Sequence, residues 1–346
     1  MSKMKTVVVG CGGMAQRWVR NAVDLDTIDL VGLVDLDRDM AVAMADRFEL
    51  PHALVFGSLK EAVDATGADA VFDVTVPVAH DKVTIEALEL GCHVLGEKPM
   101  SDDLAKAKHM VAAAKQSGKT YAVTQTRRPL VGFKSIEQFV AEGGLGEVAE
   151  LHSDFYIGAH FGGFRDAMAH PLVLDMAIHT FDNARQLSGA DPVSVYCHTW
   201  NPKHSWYDGD ASAVAIFEMT DGVVYTYRGS WCNEGRQTTW EADWRVVGGK
   251  GTLTWDGADA MRCEVVKPGQ TEGFSRELET VEVPRIAMAD EGHEYLIRQF
   301  AEHVLSGGAS GGVLVECPYD DNIKSLAMVV AAVESADAGR KVDVVW

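Results

Sequence analysis

The chain of 346 residues is longer than one hydrophobic core usually serves, so two domains are expected. Its composition, 47% hydrophobic and 24% charged, is that of a globular protein, and a net charge of −20 repels phosphate backbones and anionic lipid, which excludes nucleic acid and membrane surfaces as partners. The six cysteines (Cys11, Cys92, Cys197, Cys232, Cys263, Cys317) form no Cys-x-x-Cys pair and no zinc spacing, no segment approaches the ~20 apolar residues of a membrane helix, and the apolar run Val7, Val8, Val9 is too short for a signal-peptide core. A cytoplasmic protein with reduced thiols is expected.

From residue 6 to 124, short apolar runs alternate with helix-length amphipathic segments, the pattern of a parallel sheet covered on both faces. Strands are expected at 6–9, 30–34, 54–56, 70–74, 93–95 and 121–124. Ser58-Leu59-Lys60-Glu61 has the spacing of a capping box and marks one helix start. Beyond residue 126 the runs lengthen and become rich in Val, Tyr, Trp and Thr, with strands expected at 193–199, 211–218, 223–230, 240–247 and 252–255. Turns such as Thr220-Asp221-Gly222 make that sheet mainly antiparallel. A helix is expected over 171–187, two more over 292–305 and 318–336, and a last strand over 342–345. The fold class is therefore α/β followed by α+β: a doubly wound parallel sheet over 1–126, then a large open antiparallel sheet over 127–346.

The first strand runs into Gly10-Cys11-Gly12-Gly13-Met14-Ala15, where glycine lets the backbone approach a pyrophosphate and the next helix offers free amides and a favourable dipole. Gly10, Gly12, Gly13 and Met14 are thus cofactor-binding candidates. Asp35 ends the second strand about 25 residues after Gly10, near the spacing of a ribose-binding carboxylate. A carboxylate there repels a 2′-phosphate, which favours NAD, with NADP as the alternative if Arg38 swings over the adenosine.

Gly96-Glu97-Lys98-Pro99 follows the fifth strand at the carboxyl edge of the sheet, where ligands of open α/β folds sit. Proline biases Lys98 to an extended backbone. On the helix over 171–187, Leu172, Val173, Met176, Ala177, Phe181, Ala184 and Leu187 share one side, while Asp175, His179, Asp182 and Gln186 share the other. Asp175 and His179 are spaced i to i+4, close enough for the carboxylate to orient the ring. Histidine is a fitting base for removing a hydroxyl proton as hydride leaves, and Lys98 is suited to stabilise charge on the same oxygen. Taken alone, the stripe also fits the solvated face of a surface helix. His160, Arg165 and His170 lie near it in sequence and are substrate candidates. His160, His170, Asp175 and His179 show no defined ligand spacing, so no metal is expected.

With these residues in place, the chain resembles the Gfo/Idh/MocA family of glucose-fructose oxidoreductase, inositol dehydrogenase and rhizopine-catabolism proteins over nearly its whole length. The resemblance rests on the Gly10 turn, on Thr75-Val76-Pro77-Val78-Ala79-His80, on the run from Ala87 to Glu97-Lys98-Pro99, and on Leu174-Asp175-Met176-Ala177-Ile178-His179. It implies that Lys98 contacts substrate and nicotinamide, that His179 is the catalytic histidine with Asp175 its partner, and that Arg127 and Asp182 touch the sugar. It also places Thr75, Pro77, His80 and Glu97 with the cofactor. A homodimer or homotetramer through the C-terminal sheet is implied, as are C-terminal helices that return to the first domain.

The implied substrate is a pyranose or cyclic polyol. Five tryptophans of the second domain (Trp200, Trp206, Trp231, Trp240, Trp244) suit sugar stacking, strand packing or a subunit interface equally. Two other activities fit the same architecture: an NAD-dependent glycosidase that oxidises transiently and eliminates, and a non-catalytic NAD(P)-sensing protein. The second predicts loss of the relay residues, whereas Lys98, Asp175 and His179 are all present.

Overall fold

The computed structural model describes residues 2–270, 273–308 and 313–346. Contacts divide the chain into two units, Met1–Pro129 with Ala289–Leu326, and Leu130–Met288 with Ala327–Trp346. The segment 289–326, which lies beyond the sequence boundary at 126, groups with the first unit.

The first unit opens with β1 (Met4–Val9), α1 (Ala15–Asp24), β2 (Ile28–Val34), α2 (Arg38–Arg47), β3 (Val55–Phe56) and α3 (Leu59–Thr66). It continues through β4 (Ala70–Asp73), α4 (His80–Glu89), β5 (His93–Gly96), α5 (Leu104–Ser117) and β6 (Tyr121–Val123). The strands pair in parallel in the order β3-β2-β1-β4-β5-β6, the doubly wound arrangement expected from the alternating pattern. β1 and β4 are almost wholly buried, as strands covered on both faces must be. The capping box at α3 is split. Ser58 accepts from the Glu61 amide at 3.2 Å, but the Glu61 carboxylate reaches the Gly57 amide at 2.9 Å, one residue before the cap.

The second unit contains α6 (Val131–Ala141), β7 (Val148–Tyr156), a π-helical stretch (Leu172–Ala177), α7 (Ile178–Ser188), β8 (Pro192–Trp200), β9 (Ser212–Met219) and β10 (Val224–Ser230). β11 (Asp243–Gly248), β12 (Gly251–Trp255), β13 (Met261–Val266) and β14 (Leu278–Val281) follow. Then come α8 (Gly292–Leu305) of the first unit, α9 (Tyr319–Ala338) and β15 (Val342–Asp343). Nine strands form one sheet, β14-β13-β12-β11-β7-β10-β9-β8-β15, antiparallel except for the parallel pair of β7 and β10. Phe181 of α7 packs edge-on against Phe217 of β9 at 4.8 Å and Tyr227 of β10 at 5.3 Å, which seats the helix on one face of the sheet.

Three departures from the sequence pattern have local causes. The strand expected from residue 240 begins at Asp243, because Ala242 has φ 66°, a left-handed conformation that ends extended backbone. The helix expected over 171–187 begins with wider i→i+5 bonding through Leu172–Ala177, so a 100° wheel does not describe its first turns. β7, β13 and β14 have no counterpart among the expected strands. Among the described residues no helix is long and apolar enough to cross a membrane. All six cysteines are buried and unbridged.

In the first unit α8 packs on α1. Trp18, Phe72 and Phe300 form a ring cluster with centroids 5.1 and 6.2 Å apart.

Candidate functional site

At the end of β1 the chain turns through Gly10 with φ +90°, its amide bonded to the Val34 carbonyl at 2.8 Å. A Cβ on Gly10 would lie 2.6 Å from the Val74 carbonyl oxygen and 2.8 Å from the Thr75 nitrogen, so only glycine lets this turn back onto the end of β4. Beyond it, a Cβ on Gly12 or Gly13 would meet nothing within 4 Å. Met14 is half exposed, and α1 has neither a side-chain cap nor an acidic residue in its first turn. The open space beside Gly12 and Gly13, just before the uncapped start of α1, fits a dinucleotide pyrophosphate.

Asp35 stands just past β2, half-buried, with Oδ2 accepting from the Cys11 amide at 2.7 Å and Oδ1 from the Asp37 amide at 2.9 Å. Those two bonds fix its carboxylate beside the glycine turn while each oxygen keeps a further lone pair for a ribose hydroxyl. Arg38 is exposed on the first turn of α2. Thr75 and His80 meet at 3.3 Å on either side of the half-buried Pro77.

Lys98 is half-buried immediately after β5, and its neighbour Glu97 is almost fully buried. The Glu97 carboxylate oxygens are engaged by protein. Oε1 accepts from the Trp18 indole at 2.8 Å and lies 3.1 Å from His293 Nε2, while Oε2 accepts from the Lys98 amide at 3.0 Å. Burial alone would raise the Glu97 pKa, but hydrogen bonds and charge from His293, the Trp18 bond and the Lys98 charge hold it below its ordinary value of 4.5. Because the folded value is depressed, this carboxylate stabilises the fold above the ordinary value and loses that contribution as pH falls through the folded one. Glu97→Gln should therefore flatten the acid limb of the melting-temperature profile and cost about 1–3 kcal/mol near neutral pH. An unaltered acid limb would show that Glu97 does not carry it.

In the second unit His179 is the second residue of α7 and is 6% exposed, while Asp182, one turn on, is fully buried. Such burial is incompatible with a solvated surface stripe. Asp175 lies in the π-helical stretch, where its Oδ2 accepts from Arg165 Nε at 2.6 Å. The Arg165 guanidinium is flanked by the rings of Phe161 and Phe164, at 5.0 and 4.8 Å. Arg165 and Asp175 are thus brought together.

His160 and His170 have other partners. His160 is exposed, stacked on Trp206 at 3.6 Å and bonded to Glu234 at 2.8 Å. His170 lies 3.1 Å from Asp337 of α9 and 3.3 Å from Thr199 of β8, which hold its ring between them. Arg127 lies half-buried in the turn after β6, in the first unit. A groove of about 680 Å³ on the second unit's sheet is lined by His152, Asp154, Arg228, Trp244 and Arg262 among others; of the residues singled out in the sequence it includes Trp244 alone.

Sequence reasoning missed Trp18, His293 and Asp73. Nothing local marks His293, which meets Glu97 from far along the chain. Asp73 did carry a signal: a carboxylate inside the apolar run of a buried strand must find donors.

A doubly wound sheet with this glycine turn and an oriented acid after its second strand defines a dinucleotide-binding unit. Residues 4–125 match the model of the oxidoreductase family with an NAD-binding Rossmann fold, and residues 133–254 match the model of that family's C-terminal domain. The chain belongs to the Gfo/Idh/MocA oxidoreductase family.

It is 25% identical to 1,5-anhydro-D-fructose reductase of Ensifer adhaerens, over 71% of this chain and 74% of that one. It is 29% identical to inositol 2-dehydrogenase of Renibacterium salmoninarum, over 56% of this chain and 57% of that one. Its fold matches that of an Agrobacterium radiobacter oxidoreductase solved with NAD+, L-tartaric acid and magnesium, with a TM-score of 0.84, 20% identity and 99% of each chain covered.

Proposed function

We propose that this oxidoreductase transfers hydride between NAD and a secondary hydroxyl, or the corresponding carbonyl, of a sugar or cyclic polyol. The observation that carries the reading is the buried His179, four residues from a carboxylate that Arg165 holds in place, in a chain whose other unit binds NAD. The relatives named for anhydrofructose and for inositol support a polyhydroxylated ring as substrate.

NAD, when bound, supplies the hydride acceptor. His179 takes the proton from the substrate hydroxyl, or returns it in the reductive direction. Asp175 keeps the imidazole oriented, and Arg165 keeps Asp175 in place. Lys98 donates a hydrogen bond to the reacting oxygen, which favours the developing negative charge. Asp35 offers ribose an acceptor and repels a 2′-phosphate, so NAD is the preferred cofactor over NADP.

The test is a screen of inositols, aldoses and 1,5-anhydro sugars with NAD and with NADP, followed by the absorbance of the reduced nicotinamide. Turnover of at least one ring compound, faster with NAD, is expected. A blank screen together with cleavage of a nitrophenyl glycoside would replace this reading with a glycosidase that oxidises only transiently.

A further inference from the structure

Asp73 closes β4 as a fully buried carboxylate in a strand otherwise made of Ala70, Val71 and Phe72. A charge in such a place is tolerated only when donors surround it. Here Oδ1 accepts from the Thr75 hydroxyl at 2.6 Å and the Thr75 amide at 3.2 Å, and lies 3.0 Å from His80 Nδ1. Oδ2 accepts from the Thr84 hydroxyl of α4 at 2.9 Å. One carboxylate therefore ties both ends of the loop between β4 and α4, and the first turns of α4, to the tip of the strand.

The position of that tip gives the clasp its meaning. Asp73 pairs in register with Val9, the last residue of β1. The strand order reverses between these two neighbours, and in open α/β sheets ligands bind outside the carboxyl ends of the strands at such a switch point. The loop backs directly onto the glycine turn, since the Thr75 nitrogen lies 2.8 Å from where a Gly10 Cβ would stand. Outward it presents the apolar side chains of Val76 and Val78, 61% and 58% exposed. His80 itself is buried, yet among the described residues its Nε2 has no hydrogen-bond partner. A buried ring nitrogen without a partner is costly and calls for one from outside the chain.

We propose that Asp73 is a positioning residue for the nicotinamide cofactor: by clasping Thr75 and His80 it holds the loop in its binding shape before the cofactor arrives, and it turns His80 so that Nε2 gains its partner on binding. The inference rests on the NAD-binding reading of the first unit. Asp73→Asn keeps the shape of the side chain and removes its charge, so one acceptor oxygen becomes a donor facing donors. His80→Gln removes the ring that the clasp orients.

The test titrates the full-length protein and its Asp73→Asn, His80→Gln and Thr75→Val variants with NADH by fluorescence, beside the melting temperature of each without cofactor. Asp73→Asn and His80→Gln should each raise the Kd about tenfold, and the double variant should fall well short of a hundredfold, because both break one clasp. A clasp that only braced the strand would lower the melting temperature and leave the Kd unchanged, and folded variants within twofold of the parent would overturn the proposal. If Asp73→Asn does not fold, His80→Gln and Thr75→Val decide by the same criterion. A parent that takes up neither NADH nor NADPH would overturn the cofactor reading and the clasp with it, whereas normal binding by parent and variants alike removes the clasp alone.

Discussion

Replacing His179 by alanine is expected to lower kcat about a thousandfold, near the middle of the range for loss of a general acid-base residue, while the Kd for NADH stays within about twofold. The drop corresponds to about 4 kcal/mol of transition-state stabilisation. His179 belongs to the second unit and the glycine turn to the first, so cofactor uptake reports the first unit and the melting temperature is needed as the control that the variant is folded. Because the ring is buried, the alanine leaves a cavity, and His179→Gln should be measured beside it to separate lost volume from lost proton transfer. Steady-state kinetics on the substrate found in the screen, with NADH fluorescence in parallel, read both effects. An alanine variant within tenfold of the parent would remove His179 as the base.

The histidine could be singled out from sequence because of its chemistry and because Asp175 stands four residues before it. Much of its setting could not. The π-helical stretch over Leu172–Ala177 leaves no trace in hydrophobic periodicity, since Leu172, Val173, Met176 and Ala177 are buried in either geometry. Arg165 was visible only as a nearby cation; that it holds Asp175 depends on the backbone path between them. In the first unit the strands were legible because parallel strands covered on both faces are continuous apolar runs. β7 was not, although it lies inside the large sheet, because Glu150, His152 and Asp154 interrupt its apolar residues. Such charges read as loop until the neighbouring strand supplies their partners, as Arg228 of β10 does for Asp154 at 2.7 Å and Thr226 does for His152 at 2.7 Å. The bonds around Glu97 are non-local in the same way, since Trp18, Thr124 and His293 come from three separate elements.

Those bonds bear on the second large effect. Lys98→Met should lower kcat/KM by about 10²–10³, the usual loss when a preorganised donor to a developing oxyanion is removed. Methionine keeps the length and apolar stem of the side chain, so packing changes little and the missing ammonium dominates. Lys98→Arg should recover only part of the loss, because a planar fork does not reproduce a compact point charge. The expectation depends on Lys98 being held in place, and here the sequence Glu97-Lys98-Pro99 acts as one device: the Glu97 carboxylate, fixed by Trp18 and His293, accepts from the backbone amide of Lys98 at 3.0 Å. Two variants at adjacent positions should therefore separate cleanly. Glu97→Gln acts on stability and its acid limb, and reaches turnover only through the placement of Lys98. Lys98→Met should leave the melting temperature within a few degrees while turnover falls. If instead Lys98→Met lowered the melting temperature as much as Glu97→Gln and left kcat/KM within tenfold, Lys98 would be a brace for the loop after β5 and not the donor to the substrate oxygen.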